Sequence, residues 1–136
     1  MDAAARDDLG KLVLRVAVAA LILLHGIAKL RHGLGDVADA MARARLPHAV
    51  GYLVFIGELI APLLMIAGYW TRPAAAIVAA TMLVALLLGH PHELLAVTAH
   101  GGLLLEVQWM FLLAAAASAF LGAGRYSLGG REGRWN

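Results

Sequence analysis

At 136 residues the chain has the length of one domain. Its 62% hydrophobic and 15% charged residues, with a mean hydropathy of +0.79, exclude an ordinary soluble globule, whose apolar share is about 45–50%. A net charge of +2 with no cysteine leaves no nucleic-acid footprint, and it removes disulfides, thiolate metal sites, cysteine-ligated clusters and covalent haem.

Met1–Lys11 is a short charged leader, with Arg6 and Lys11 set against Asp2, Asp7 and Asp8. The apolar run from Leu12 to about Leu30 has no small-residue cleavage site ahead of a soluble domain, so it reads as an uncleaved first span. Residues 31–49 are polar with one periodic patch. Asp36 is placed to cap a short helix carrying Val37, Ala38, Met41 and Ala44 on one side and ended by Pro47. That pattern fits a helix lying on the bilayer surface, with a plain loop as the alternative. Residues 50–69 form a second span, about 20 residues long and enough to cross about 30 Å of hydrocarbon. Glu58 interrupts it, and Pro62 one turn later can bend it. Tyr69 and Trp70 mark an interface; Thr71 reads as a cap, with Pro73 in the first turn of the next helix. The third span, 73–89, is rich in alanines suited to close packing, with Thr81 its one strongly polar interior residue. A break at 90–102 carries His90, His92 and His100, whose spacing is not diagnostic of a metal site. The fourth span, 103–120, has Glu106 near its start, and a polar tail follows with Arg125, Arg131 and Arg134.

Four spans put both termini on one side of the membrane. That side holds Arg6, Lys11, Arg72, Arg125, Arg131 and Arg134, against Lys29, Arg31, Arg43 and Arg45 on the other. The excess of basic residues assigns both termini to the cytoplasm. The expected fold is therefore all-α: a single domain over 1–136, built as a four-helix transmembrane bundle with a short interfacial helix after the first span.

Ionisable groups inside such a bundle are costly and mark candidate sites. His25 and Lys29 are one helical turn apart, and with Arg15 they fall within a sector of about 80°. At 1.5 Å per residue, His25 lies about 6 Å deeper than Lys29, and Glu58 roughly 12 Å below the outer surface. Glu106 is within a turn of the same surface. His25, Lys29, Glu58 and Glu106 thus share the outer half, where Glu58 is expected to face the first helix. Arg15 is left near the inner surface, to snorkel or to reach the tail. Three readings of the outer group stand. It is a network that fixes helix packing, a headgroup site for a polar lipophile such as a quinone or lipid, or part of an ion path, for which the inner half supplies only Arg15. No Ser/His/Asp arrangement or phosphate-cradling glycine loop accompanies it, so the chain holds no self-contained catalytic motif.

The order and spacing of several short elements resemble the DoxX family of small four-helix bacterial membrane proteins, from about Leu12 to Leu128. They are Arg15, His25-Gly26-Ile27-Ala28-Lys29, Pro47, Glu58 with Pro62, and Gly68-Tyr69-Trp70-Thr71-Arg72. Gly101-Gly102 ahead of Glu106, and Gly122-Ala123-Gly124-Arg125-Tyr126-Ser127-Leu128, complete the series. The resemblance implies a multi-pass protein of the bacterial cytoplasmic (inner) membrane linked to redox metabolism. The family is named for a subunit of a thiosulfate–quinone oxidoreductase, and other members are tied to oxidative-stress complexes. The implied partners are the bilayer and soluble or membrane redox proteins, with a homo-oligomer also open. A quinone is the candidate cofactor. The competing functions are a non-catalytic scaffold for soluble redox partners and a small transporter or channel. Arg15 and His100 stand as structural candidates beside the four ligand-binding ones.

Overall fold

Asp2 starts the first helix by accepting the Ala5 N–H at 2.7 Å, a bond that satisfies one of the orphan donors of a helix N-terminus. In the computed structural model, which describes residues 1–136, helix α1 then runs over Ala3–His32, about 45 Å at 1.5 Å per residue. Lys29, Arg31 and His32 fill its last turn, where cations complement the helix dipole. Helix α2 spans Gly35–Arg43. Leu34 occupies its cap position and Asp36 lies inside the first turn, so the expected aspartate cap is replaced by an acid placed against the dipole.

Helix α3 covers His48–Ala67 and is irregular for a local reason. Pro62 has no N–H to offer the carbonyl of Glu58 four residues back. Just ahead of it the helix widens into a π turn at Ile56–Ile60, and the Ala61 N–H bonds the Ile56 carbonyl five residues behind. Gly68 ends the helix at φ 68°, a left-handed conformation that a side chain would strain. The N–H groups of Gly68 and Tyr69 return to Met65 and Leu64 at 3.1 and 3.0 Å, a Schellman closure.

Helix α4, Thr71–Gly89, follows at once, and its last turn, Ala85–Gly89, is again of π type. Trp70, at φ 52°, takes the cap position without a side-chain bond. The Thr71 hydroxyl, expected to cap, instead donates to the Asn136 amide oxygen at 3.0 Å. Residues 94–105 form a folded connection. Leu104 and Thr98 donate to Ala96 and Gly102 at 2.8 Å each, and the Trp109 indole donates to the Leu94 carbonyl at 3.0 Å. Helix α5, Glu106–Leu121, completes the fold. The architecture is all-helical, with one isolated bridge between Val97 and Leu103.

Helices α4 and α5 lie side by side, and α1 packs against α5 and against the second half of α3. The shared core is built from Ala19 and Ile22 of α1, Ala61 and Met65 of α3, Ala75 and Val78 of α4, and Ala115 of α5. Small side chains at these contacts let the backbones approach closely. Helix α2 covers the start of α3 and the end of α4, burying Ala40 and Met41. The outward faces are as apolar as the core: Leu21, Leu24, Ile60, Leu63, Leu87, Met110 and Leu113 are all exposed. Apolar surface on that scale marks a lipid-facing exterior. Helices α1, α3 and α4 are long and apolar enough to cross a membrane, and α5 is apolar but shorter. The chain is a helical membrane protein.

Candidate functional site

Two polar layers cross this apolar body, and α1 supplies a cation to each. Lys29 and Arg15 are fourteen residues apart, about 21 Å along the helix.

At the Lys29 level, the ammonium donates to both oxygens of Glu58, at 2.7 and 2.5 Å. The Glu58 carboxylate is 4% exposed and the Lys29 side chain 27%, so the acid is sealed and the base is reached from outside. The π turn carries Glu58 itself. Such turns insert a residue into the helix and re-aim its neighbours. Gly26 makes the approach close: a Cβ there would run into the Glu58 carbonyl and Leu59. On the other side of the π turn, a Cβ on Gly57 would strike the Thr81 side chain of α4, whose hydroxyl donates to the Ile77 carbonyl at 2.9 Å. The site is thus made where α1 and α4 both meet glycine-sized gaps beside Glu58.

The other residues of the expected outer group are placed separately. His25 is exposed on α1 and meets the Phe111 ring edge-on at 5.8 Å between centroids. Glu106 stands at the first turn of α5 and is exposed, its carboxylate folded over Gly102. It forms no salt bridge, and neither does His25. His100 is exposed in the connection. His90, nearby, pairs with Glu93 at 3.0 Å. The structure therefore brings Lys29 and Glu58 together, with His25 and Phe111 on an adjoining face, and leaves Glu106 and His100 apart from the pair.

At the inner level Arg15 is 1% exposed. Its guanidinium donates to the carbonyls of Met65 at 2.8 Å, Ile66 at 3.4 Å and Tyr126 at 2.5 Å. No carboxylate is involved. The acceptors are carbonyls of the last turn of α3, which carry the negative pole of that helix, and one carbonyl of the tail; the Met65 carbonyl accepts from the Gly68 N–H as well. Nε of Arg15 is the one buried side-chain polar atom without a partner. Three further contacts fix the same end. Asp8, buried on α1, accepts from Arg131 and from the Arg125 N–H at 3.1 Å. Its hydrogen bond and Coulomb attraction hold the Arg131 guanidinium above the ordinary range. Asn136 reaches the Thr71 N–H at 3.3 Å, and the Leu128 and Gly129 N–H groups bond Ala67 and Gly68 at 3.1 and 2.9 Å. Sequence reasoning reached Arg15 and the tail as neighbours, but Asp8, Gly26, Gly57 and Thr71 were missed. For Gly26 and Gly57 a signal existed, since each lies on a turn that also carries an ionisable residue.

Comparison with known proteins gives one finding and two absences. A family model described as DoxX matches residues 10–91, more than half of the chain and including Arg15, His25, Lys29 and Glu58. No curated protein gives a significant match, and no solved structure does.

Proposed function

The chain belongs to the DoxX family, and from that premise we propose that it is a redox-associated subunit of the bacterial cytoplasmic membrane. In this reading it holds a quinone, or another lipophile with a polar head, beside Lys29 and Glu58. The single domain, 1–136, crosses the bilayer four times, near 12–30, 50–69, 73–89 and 103–120, with both termini cytoplasmic and α2 on the outer surface. Reporter fusions after Pro47 and after Arg72 then fall in opposite compartments; the same compartment for both refutes the topology.

The observation that carries the site is the Lys29–Glu58 pair, sealed on the acid side and partly open on the base side. An ammonium has three donors, and Glu58 takes two. The third is free for a carbonyl oxygen arriving from the lipid. His25 and the Phe111 ring border the same face of α1 and α5 and offer a flat ring a surface to lie on. A bound quinone would supply two-electron, two-proton chemistry. The residues of this chain hold its headgroup, keep the counter-charge in place and leave the tail of the ligand in hydrocarbon. Glu106 and His100 act from the rim.

Organic extraction of protein purified from its native membrane tests this directly. Near-stoichiometric quinone is expected from the wild-type chain and little from Lys29→Met. No quinone from a folded wild-type sample sinks the proposal. Co-purification of a soluble enzyme that depends on the tail would then favour the scaffold, and ion flux in proteoliposomes the transporter.

A further inference from the structure

The molecule has a cleft apart from the Lys29–Glu58 pair. It lies at the other end, a hollow of about 730 Å³ between the start of α4, the end of α5 and the tail. Arg72, Arg131 and Arg134 line it together with Phe120 and Trp135. Three guanidiniums around one hollow need counter-charges, and one acidic side chain forms a salt bridge to them. Arg131 is paired with Asp8. Arg72 donates only to main-chain oxygens, of Asn136 at 3.0 Å and Phe120 at 2.8 Å. Arg134 has no acidic partner and stacks over the Trp135 ring at 5.4 Å. The neighbouring acid Asp7 is taken by Lys11 at 2.7 Å, and Glu132 lies outside the lining. Arg134 and Arg72 therefore face the cleft with no acidic side chain in a salt bridge to either.

The apolar wall has a direction. Ala76 on α4 and Ala119 on α5 also line the hollow, Ala76 one turn in from Arg72 and Ala119 two residues before the end of α5. Small side chains there leave a groove leading from the charged mouth into the lipid-facing body. Phe120 is 81% exposed beside it. A ligand that fits carries a phosphate at one end and hydrocarbon at the other.

We infer that this cleft binds an anionic phospholipid of the cytoplasmic leaflet, its phosphate held by Arg134 and Arg72 and its acyl chains laid along Ala76 and Ala119. Basic pockets between helix ends on this side of a membrane suit such headgroups, and an arginine fork suits phosphate. The inference rests on the membrane orientation proposed above, which the reporter fusions test separately, and is independent of the quinone site.

The test uses the full chain in phosphatidylcholine nanodiscs, titrated with phosphatidylglycerol and read by native mass spectrometry and thermal unfolding. Phosphatidylglycerol is expected to bind in preference and to raise Tm. Arg134→Gln should weaken it about fivefold, the equivalent of one surface arginine, and Arg134→Lys, which keeps the charge but not the fork, should recover only part of that loss. Since Arg134 makes no side-chain hydrogen bond, Arg134→Gln is expected to fold. Glu93→Gln, in the exposed connection between α4 and α5, should leave phosphatidylglycerol affinity unchanged. Equal binding of the two lipids, or an unchanged preference in Arg134→Gln, overturns the inference. Protection by inorganic phosphate alone, equal to that by phosphatidylglycerol, also overturns it, because the site would then take free phosphate and make no use of the apolar groove.

Discussion

Helix α1 handles its two inward cations, near its middle and in its last turn, in opposite ways. Arg15 gives its protons to carbonyls of α3 and the tail, whereas Lys29 gives its protons to a carboxylate. The difference follows from what the facing helix has left to offer. At its C-terminal end, α3 has carbonyls with no intrahelical partner, and they can absorb a positive charge without an acid. Ten residues earlier its carbonyls are mostly spent within the helix, so Lys29 needs a charged side chain opposite. Glu58 provides it on a π turn. The inner end is then closed by Arg15, the Asp8–Arg131 pair and the Asn136–Thr71 contacts. The outer end is tied by one pair, with His25, Glu106 and His100 standing free of it. An end locked by backbone bonds serves architecture, and an end with a half-open ammonium can exchange partners.

The strongest way to break this contrast is to remove the inner cation. Arg15→Met takes the charged donor from the Met65 and Tyr126 carbonyls, and losing two charge-assisted bonds should cost about 3–5 kcal/mol. Equilibrium unfolding in mixed micelles measures it, and limited proteolysis should show the tail released. A loss below that of the outer variants would reverse the ranking of the two ends.

At the outer end, Glu58→Gln leaves Lys29 without its counter-charge. Because Lys29 is 27% exposed, the cost is set below that of a fully buried broken pair, at about 2–3 kcal/mol. Lys29→Met with Glu58→Gln should be milder than the sum of the two. A double-mutant cycle reads the coupling, and additivity would mean that the pair does not act as a unit. Ligand content measured on the same variants separates packing from binding: coupled stability with unchanged quinone assigns the pair to packing.

A smaller effect is expected from Gly26→Ala. The new methyl meets the Glu58 carbonyl, which is backbone and cannot rotate aside, so α1 and α3 must separate locally. Overpacking of this kind costs about 1–3 kcal/mol. It should also lower quinone retention, since the pair is displaced while both charges remain. Retention at the wild-type level would show that the spacing of the helices does not matter to the site. The least effect belongs to His100→Ala, an exposed loop position, where stability should stay within about 0.5 kcal/mol. A larger fall would give that loop a role that the contrast between the two ends does not assign to it.

Much of the contrast could be read from the chain alone. Periodicity put Arg15, His25 and Lys29 in one sector of α1, and depth put Glu58 within reach of Lys29 and His25, because spacing along a helix converts directly into height and azimuth. Depth could not separate Glu58 from Glu106. Spacing assigns both carboxylates to the same half, and the choice between them depends on how far each helix is rotated about its own axis. Glu106 begins α5 and turns back over Gly102, whereas Glu58 is aimed inward by the π turn.

The sequence by itself determined that this is a helical membrane protein of the DoxX family with ionisable groups inside its apolar segments. Length, hydropathy and short-range spacing are local properties, and they survive whatever the helices do to one another. Only the tertiary structure decided that Asp8 meets Arg131, that Thr71 is engaged by Asn136, and that two glycines admit α1 and α4 to the sides of Glu58. Those contacts join residues far apart in the chain, and they depend on helix rotation and axial shift to within about one side chain, which no local pattern encodes.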